Sequence, residues 1–219
     1  MKVDAVIFDM DGLLLDTERV ALDTFLETVL ELGLDANSTL FESFIGKPWA
    51  ATTALIRETL GPKDAQRILS RWPETFESRI DSEGIPKKAG VDELLGLLRR
   101  NAVPLALATS TSRDRTLVQL EAAGLNEHFE TLATGDEVEN GKPAPDIFLL
   151  AAERLRVEPR CCIALEDSEP GVEAASEAGM RVIMVPDLVQ PTPEAVARAE
   201  RVCSNLFEAQ QFFDAILPG

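Results

Sequence analysis

The sequence predicts an α/β protein: a doubly wound parallel sheet of Rossmann-like type, with an all-helical domain inserted into it. Three observations predict it. Short apolar runs alternate with helical patterns after residue 90, as in a parallel sheet covered on both faces. A long block after the first run carries helical patterns only. The runs end in acids, hydroxyls or a lysine-bearing loop, which an open parallel sheet gathers at one edge. The expected sheet domain is residues 1–16 with 85–219, and the expected inserted domain is residues 17–84.

Taken in order, residues 3–8 read as a buried strand broken only by Asp4, because Val and Ile favour a pleated, packed setting. Gly12 then ends the regular pattern. Residues 17–32, 49–60 and 63–80 have helical patterns, with hinges expected near 15–17 and 84–88. The next helix, 91–100, places Val91, Leu94, Leu95, Leu97 and Leu98 on an apolar stripe and ends in Arg99-Arg100, which suits a helix C-terminus. A second strand is expected at 103–108 and a helix at 115–123, stopped by Gly124. A short strand at 131–133 precedes a helix at 146–155 that begins just after Pro145. Strand 161–165, helix 169–178 stopped by Gly179, and strand 181–185 complete the alternation.

Composition narrows the function. Hydrophobic residues make up 45% of the 219, a globular composition. A formal net charge of −17 argues against a nucleic-acid partner, which needs clustered Lys and Arg. No run approaches the ~18 apolar residues of a membrane span, and no apolar leader follows Lys2, so a cytoplasmic protein is expected. Asn37-Ser38-Thr39 matches a glycosylation acceptor, which carries nothing without a secretory route. Of the three cysteines, Cys161 and Cys162 are neighbours that point to opposite faces of a strand and read as unpaired, buried thiols. There is one histidine and no tyrosine. A Ser-His-Asp triad would have to use His128, which reads as structural or exposed. A zinc site with two histidines is impossible and no CxxC occurs. A phosphate loop fails too: five residues rather than four separate Gly135 from Gly141-Lys142, and Pro143 replaces Ser or Thr.

The strand ends carry what remains. Asp9 and Asp11 follow the first strand, Thr109, Ser110 and Thr111 the second, and Glu166, Asp167 and Ser168 the strand 161–165; Lys142 precedes the helix 146–155. Acids from two strands, with no His or Cys beside them, suit Mg²⁺. Hydroxyls, backbone N–H groups and one ammonium suit phosphate oxygens. Asp9 can then attack phosphorus, and Asp11 can pass a proton to the leaving oxygen and later take one from water. Each piece alone has a plainer reading: a turn with Asx caps at Asp9–Gly12, helix N-caps at Thr109–Ser112 and Glu166–Ser168, a surface lysine at Lys142. Their order on successive strand ends favours one site.

These stretches resemble the haloacid dehalogenase-like hydrolase superfamily, in the branch with a helical cap inserted after the first strand, over essentially the whole chain. VIFDMDGLLLDTE is similar to its first motif, which implies Asp9 as nucleophile, with Asp11 as acid/base and as a metal ligand through its backbone oxygen. ALATSTS implies Thr109 and the Ser110 backbone on phosphate, and GKPAPDIF implies Lys142. IALEDSEPGVEAA implies Asp167 as a metal ligand with Glu166 supporting the metal site. In this family the cap contacts the leaving group; here FIGKPWAA offers Gly46, Lys47 and Trp49, which also read as a helix start with an apolar staple.

Within the branch, FDMDGLLLDTER and GKPAPDIFLLAAER look closest to phosphatases of sugar phosphates and nucleoside monophosphates, pseudouridine-5′-phosphatase-like enzymes among them. The resemblance implies a Mg²⁺-dependent phosphatase whose partner is a small phosphorylated metabolite, and a monomer is expected. A β-phosphoglucomutase-like mutase is the alternative. Such mutases use a His in the helix after the first motif and an Arg in the cap, where an ungapped alignment places Ala21 and Trp49. A phospho-receiver module shares the acids, hydroxyl and lysine but lacks a helical insert. A dehalogenase would leave Asp11, Glu166 and Asp167 without a task.

Overall fold

The computed structural model describes residues 3–45 and 49–217. They form two compact units by chain contact, Met1–Leu15 with Pro86–Gly219, and Asp16–Ile85. The first contains a six-stranded parallel sheet in the order β3-β2-β1-β4-β5-β6. The strands are β1 Ala5–Phe8, β2 Leu105–Thr109, β3 Thr131–Thr134, β4 Cys162–Glu166, β5 Arg181–Met184 and β6 Arg201–Val202. Around them run α4 Val91–Arg100, α5 Arg113–Ala122, α6 Asp146–Leu155, α7 Glu169–Glu177, α8 Pro193–Arg198 and α9 Leu206–Ile216; the second unit holds α1 Thr17–Leu32, α2 Ser38–Glu42 and α3 Trp49–Glu83. The chain reaches β2 on one side of β1 and then crosses to β4 on the other side. The sheet therefore reverses its winding between β1 and β4, and open α/β sheets bind ligands at the C-terminal edge of such a reversal.

The two faces of the sheet are packed differently. Ala5, Ile7, Ala106, Ala108, Ala133 and Ala164 meet Phe148, Ala151 and Ala152 of α6 and Ala174 and Ala175 of α7 in one buried cluster. Alanine on both sides lets these helices lie close to the strands. The alternate residues Val6, Phe8, Leu107, Ile163, Leu165 and Ile183 are also buried and point to the other face. There α4 packs on α9. Long apolar runs with no polar alternation follow from burial on both faces.

In the inserted unit, the rings of Phe25, Phe41, Phe44 and Trp72 meet with centroids 5.0 to 5.9 Å apart. Trp72 Nε1 donates to Ala21 O at 3.1 Å, so α1 satisfies the one polar atom of the indole. The two helices expected at 49–60 and 63–80 form one run, Trp49–Glu83, broken at Gly61 (φ 75°, ψ 164°) just before Pro62. The chain leaves and re-enters the sheet unit along paired backbone. Leu15 bridges Lys87 in antiparallel fashion, and Lys88 N–H donates to Leu14 O at 2.9 Å.

Several expectations need correction. The first strand starts at Ala5 rather than residue 3, although Asp4 N–H still donates to Cys161 O. The second starts at Leu105, not 103: Pro104 has no N–H to give a ladder and only its carbonyl serves, accepting from Val6 N–H at 3.0 Å. Cys161 lies in a single turn, Pro159–Cys161, and not in β4. Helix α5 starts at Arg113 rather than 115, since Ser112 already takes the N-cap position. Beyond the expected elements the chain forms α2 in the inserted unit and α8, β6 and α9 after residue 185. The described cysteines are free, and burial pushes the Cys162 and Cys203 thiols up to about 11. No described helix is long and apolar enough to cross a membrane.

Glu137 ties three elements together just after β3. Its Oε2 accepts from Thr134 N–H at 3.2 Å and Thr134 Oγ1 at 2.9 Å. Arg154 of α6 donates to Oε2 at 2.8 Å and Oε1 at 3.1 Å, and Arg113 of α5 donates to both oxygens at 3.2 Å. The Arg154 hydrogen bonds above all, with those of Arg113 and Thr134, hold the Glu137 carboxyl at about 2, against the cost of burial. A depressed carboxylate stabilises the fold above its unfolded value, near 4.5, and that contribution fades as pH falls through about 2. Because the side chain is 23% exposed, Glu137→Gln is expected to cost about 1–2 kcal/mol at pH 7, discounted for solvent screening. Urea unfolding should show the gap between variant and parent narrowing from pH ~4.5 downward. A gap independent of pH would refute the charge-based account.

Candidate active site

Asp9 sits one residue beyond β1, held beside β4 by its N–H, which donates to Leu165 O at 3.0 Å. It is 5% exposed. An acid so buried requires a positive partner. Lys142 provides it. The Nζ of Lys142 donates to Asp9 Oδ1, to Glu166 Oε1 at 2.6 Å and to Ala108 O at 3.1 Å. An ammonium has three N–H groups, and here each meets an acceptor, one just beyond β1, one on β4 and one on β2. The Lys142 side chain is itself only 7% exposed and lies 5.2 Å from the centroid of the Phe148 ring. Burial disfavours its charge, but attraction to Asp9 and Glu166 outweighs that and holds the ammonium above its usual range.

Glu166 is fully buried at the last position of β4. Its second oxygen, Oε2, accepts from Ser168 N–H and Ser168 Oγ, each at 2.9 Å. Ser168 Oγ in turn accepts from Gly171 N–H at 3.2 Å, which caps α7. A Cβ on Gly171 would fall 1.7 Å from Glu166 Oε1, so the glycine is what leaves the carboxylate its place. Asp167 is 7% exposed, and carboxylate oxygens of Asp9, Glu166 and Asp167 all lie within 4.8 Å of one another. These three acids form a buried cluster around the Lys142 ammonium. Burial first of all, with Glu166 and Asp11 nearby, raises Asp9 well above the usual carboxylate range even though Lys142 pulls it down. An all-oxygen donor set of clustered carboxylates fits a hard divalent cation.

Asp11 lives in a different environment. Its Oδ2 accepts from Thr111 Oγ1 at 2.8 Å and, more distantly, from Thr109 Oγ1 at 3.4 Å. Thr109, fully buried at the end of β2, also accepts from Thr111 N–H at 3.1 Å. Ser110 is exposed, and Gly135 crosses so close to it that a Cβ there would lie 2.1 Å from Ser110 O.

The structure thus brings together Asp9, Lys142, Glu166 and Asp167 in one cluster, with Asp11, Thr109 and Ser110 on the neighbouring strand ends. Trp49 belongs to the inserted unit, is 54% exposed and has its ring 6.0 Å from that of Trp72. Gly46 and Lys47 lie outside the described residues. His128 lies in the turn Asn126–His128, away from these strand ends. Sequence reasoning missed Gly135 and Gly171, visible as glycines but not as close approaches, and missed that the Thr111 hydroxyl turns toward Asp11.

Comparison with known proteins adds a relationship. A family model described as haloacid dehalogenase-like hydrolase matches residues 6–185. The phosphorylated carbohydrates phosphatase of Thermotoga maritima is 36% identical over 83% of this chain and 84% of its own. A candidate pseudouridine-5′-phosphatase of Drosophila melanogaster is 38% identical over 96% of this chain and 94% of its own. Among solved structures, a candidate beta-phosphoglucomutase from Thermotoga maritima superposes with a TM-score of 0.82 at 32% identity, covering 99% of this chain and all of that one.

The two crowded glycines make a contrasting pair. At Gly171 the obstacle is the end of one side chain, whereas at Gly135 it is backbone. Gly135→Ala is therefore expected to cost about 1–3 kcal/mol of stability, and Gly171→Ala more, because displacing the buried Glu166 carboxylate breaks its bonds to Lys142 and Ser168. Urea midpoints in the opposite order would show that Glu166 moves aside more easily than the backbone at Ser110.

Proposed function

The chain belongs to the haloacid dehalogenase-like hydrolase family and is a phosphatase; from that premise we propose that it is a Mg²⁺-dependent phosphomonoesterase of sugar phosphates or nucleoside monophosphates, working through a phosphoryl group carried on Asp9. One observation carries this reading. Two carboxylates two residues apart stand in opposite environments, Asp9 buried against an ammonium and Asp11 against hydroxyls. Such a division of surroundings assigns different roles to like groups.

In the proposed reaction a carboxylate oxygen of Asp9 attacks phosphorus and the bond from phosphorus to the leaving oxygen breaks. Asp11 gives that oxygen a proton, so that a neutral alcohol departs. Asp11, now a carboxylate, takes a proton from the water that attacks the phosphorylated Asp9, and inorganic phosphate leaves. Lys142 holds Asp9 in place and offers positive charge to the phosphoryl oxygens, with Thr109 and the Ser110 backbone as further phosphate contacts. Asp9, Glu166 and Asp167, with the backbone oxygen of Asp11, would hold the Mg²⁺, which supplies charge neutralisation toward the phosphoryl group. Residues 17–84 are assigned as the cap, with Gly46, Lys47 and Trp49 as its contacts to the leaving group. The relatives that are named for phosphorylated carbohydrates and for pseudouridine 5′-phosphate support this substrate class.

Phosphate release from p-nitrophenyl phosphate and from a panel of sugar and nucleoside monophosphates tests the proposal. Turnover should require added Mg²⁺ and stop in excess EDTA. Asp9→Asn should abolish turnover, while Asp11→Asn should lower it about 10²–10⁴-fold. Full activity in chelator would remove the metal from the scheme, and a near-normal Asp9→Asn would reassign the nucleophile.

The likeness to a candidate beta-phosphoglucomutase favours a second reading. A mutase must protect its phosphorylated Asp from water until the sugar turns round. The mutases' gating His and phosphate-gripping Arg correspond here to Ala21 and Trp49. Lys47 lacks the planar two-pronged grip of Arg. With β-glucose 1-phosphate and a trace of the 1,6-bisphosphate, free phosphate is therefore expected to outpace glucose 6-phosphate. The reverse ratio would establish the mutase.

A further inference from the structure

The hydroxyl run Thr109-Ser110-Thr111-Ser112 precedes α5, where such residues ordinarily cap a helix by accepting from its first N–H groups. Ser112 occupies the N-cap position but makes no side-chain cap bond. The Thr111 carbonyl meets α5, accepting from Thr116 Oγ1 at 3.5 Å, but the Thr111 side chain does not cap the helix. Its Oγ1 donates to Asp11 Oδ2 at 2.8 Å. The residue is tied down through its backbone on two sides: its N–H donates to Thr109 Oγ1 at 3.1 Å, and its carbonyl accepts from Gly135 N–H at 3.1 Å. Those partners sit at the ends of β2 and β3. Gly135 can reach this position only because it lacks a Cβ. The backbone that carries the Thr111 hydroxyl is thus held by the ends of two strands of the sheet.

We propose that Thr111 is a positioning residue: its hydroxyl fixes the plane of the Asp11 carboxyl group so that the proton reaches the leaving oxygen as the phosphorus–oxygen bond breaks. The inference rests on the role of Asp11 proposed above. In that step the Asp9–phosphorus bond forms, the phosphorus–oxygen bond to the alcohol breaks, and the Asp11 proton moves to the alcohol oxygen. Thr111 exchanges no atom. It acts by holding the donor in line, and small misplacements of a proton donor are costly.

Leaving-group chemistry separates this role from a merely structural one. Nitrophenolate departs without a proton, whereas the alkoxide of benzyl alcohol does not. The parameter kcat/KM covers the steps up to transfer of phosphorus to Asp9, so it isolates the leaving-group proton from the later attack of water. Thr111→Val and Thr111→Ala are compared with Thr111→Ser and the parent on p-nitrophenyl phosphate and benzyl phosphate. Both hydroxyl-free variants should lower the ratio of kcat/KM for benzyl over nitrophenyl ester about tenfold or more. Thr111→Ser should restore the ratio to within about threefold of the parent. Thermal unfolding of all four proteins identifies a variant that fails to fold, and the second hydroxyl-free variant then decides. Equal losses on both esters, or no loss on benzyl phosphate, overturn the inference while leaving the phosphatase reading intact. A parent that hydrolyses neither ester overturns both.

Discussion

Everything at the C-terminal edge of the sheet depends on one ammonium. Lys142 has three N–H donors and spends them on Asp9, Glu166 and the carbonyl of Ala108. The three acceptors come from the ends of β1, β4 and β2, where the winding of the sheet reverses. Without that cation, two acids would be buried against each other at adjacent strand ends, an arrangement that costs several kcal/mol per uncompensated charge. With it, the strand ends are drawn to a common point and the acids become rigid. The reach of Lys142 depends on the loop from β3 to α6, and the Thr134–Glu137–Arg154–Arg113 network holds the start of that loop. Glu166 depends in turn on Ser168 and on the missing Cβ of Gly171.

The oxygen-only cluster of Asp9, Glu166 and Asp167 fits a small, hard cation, which would accompany the phosphate of a substrate. It also explains how a chain with net charge −17 can serve an anionic substrate. The long-range field is unfavourable, but recognition rests on contacts a few ångströms long that are buried and little screened. Asp11 stands beside this cluster, with its Oδ2 accepting from the hydroxyls of Thr111 and Thr109.

Five of the six strands, and the acids gathered at their ends, were legible in the sequence because Asp9 and Glu166 each follow an apolar run. The run names the strand, and the strand names the edge. Helices α4 and α6 were legible to the residue, the first from its apolar stripe and basic end, the second from the preceding proline. What stayed hidden was either weakly patterned or tertiary. Strand β6 is two exposed residues, Arg201 and Val202, with no apolar signal. Helix α9, LFEAQQFFDAI, does carry one, in Leu206, Ala209 and Phe213, behind a capping Asn205. The roles of Gly135, Gly171 and Thr111 depend on what lies across from them, and no local pattern records that.

The bridge between Leu15 and Lys87 has a bearing on how such a chain can diversify. Bridged residues of neighbouring strands have Cα atoms only about 5 Å apart. The sheet unit therefore sees residues 16–85 as one loop whose two ends already touch. Closing that loop costs an entropy that grows only as the logarithm of its length. From the standpoint of the sheet, a tight turn, these helices or a much larger module are nearly equivalent inserts. Whole segments can thus be exchanged at this doorway while the ion cluster and the strands that carry it stay unchanged.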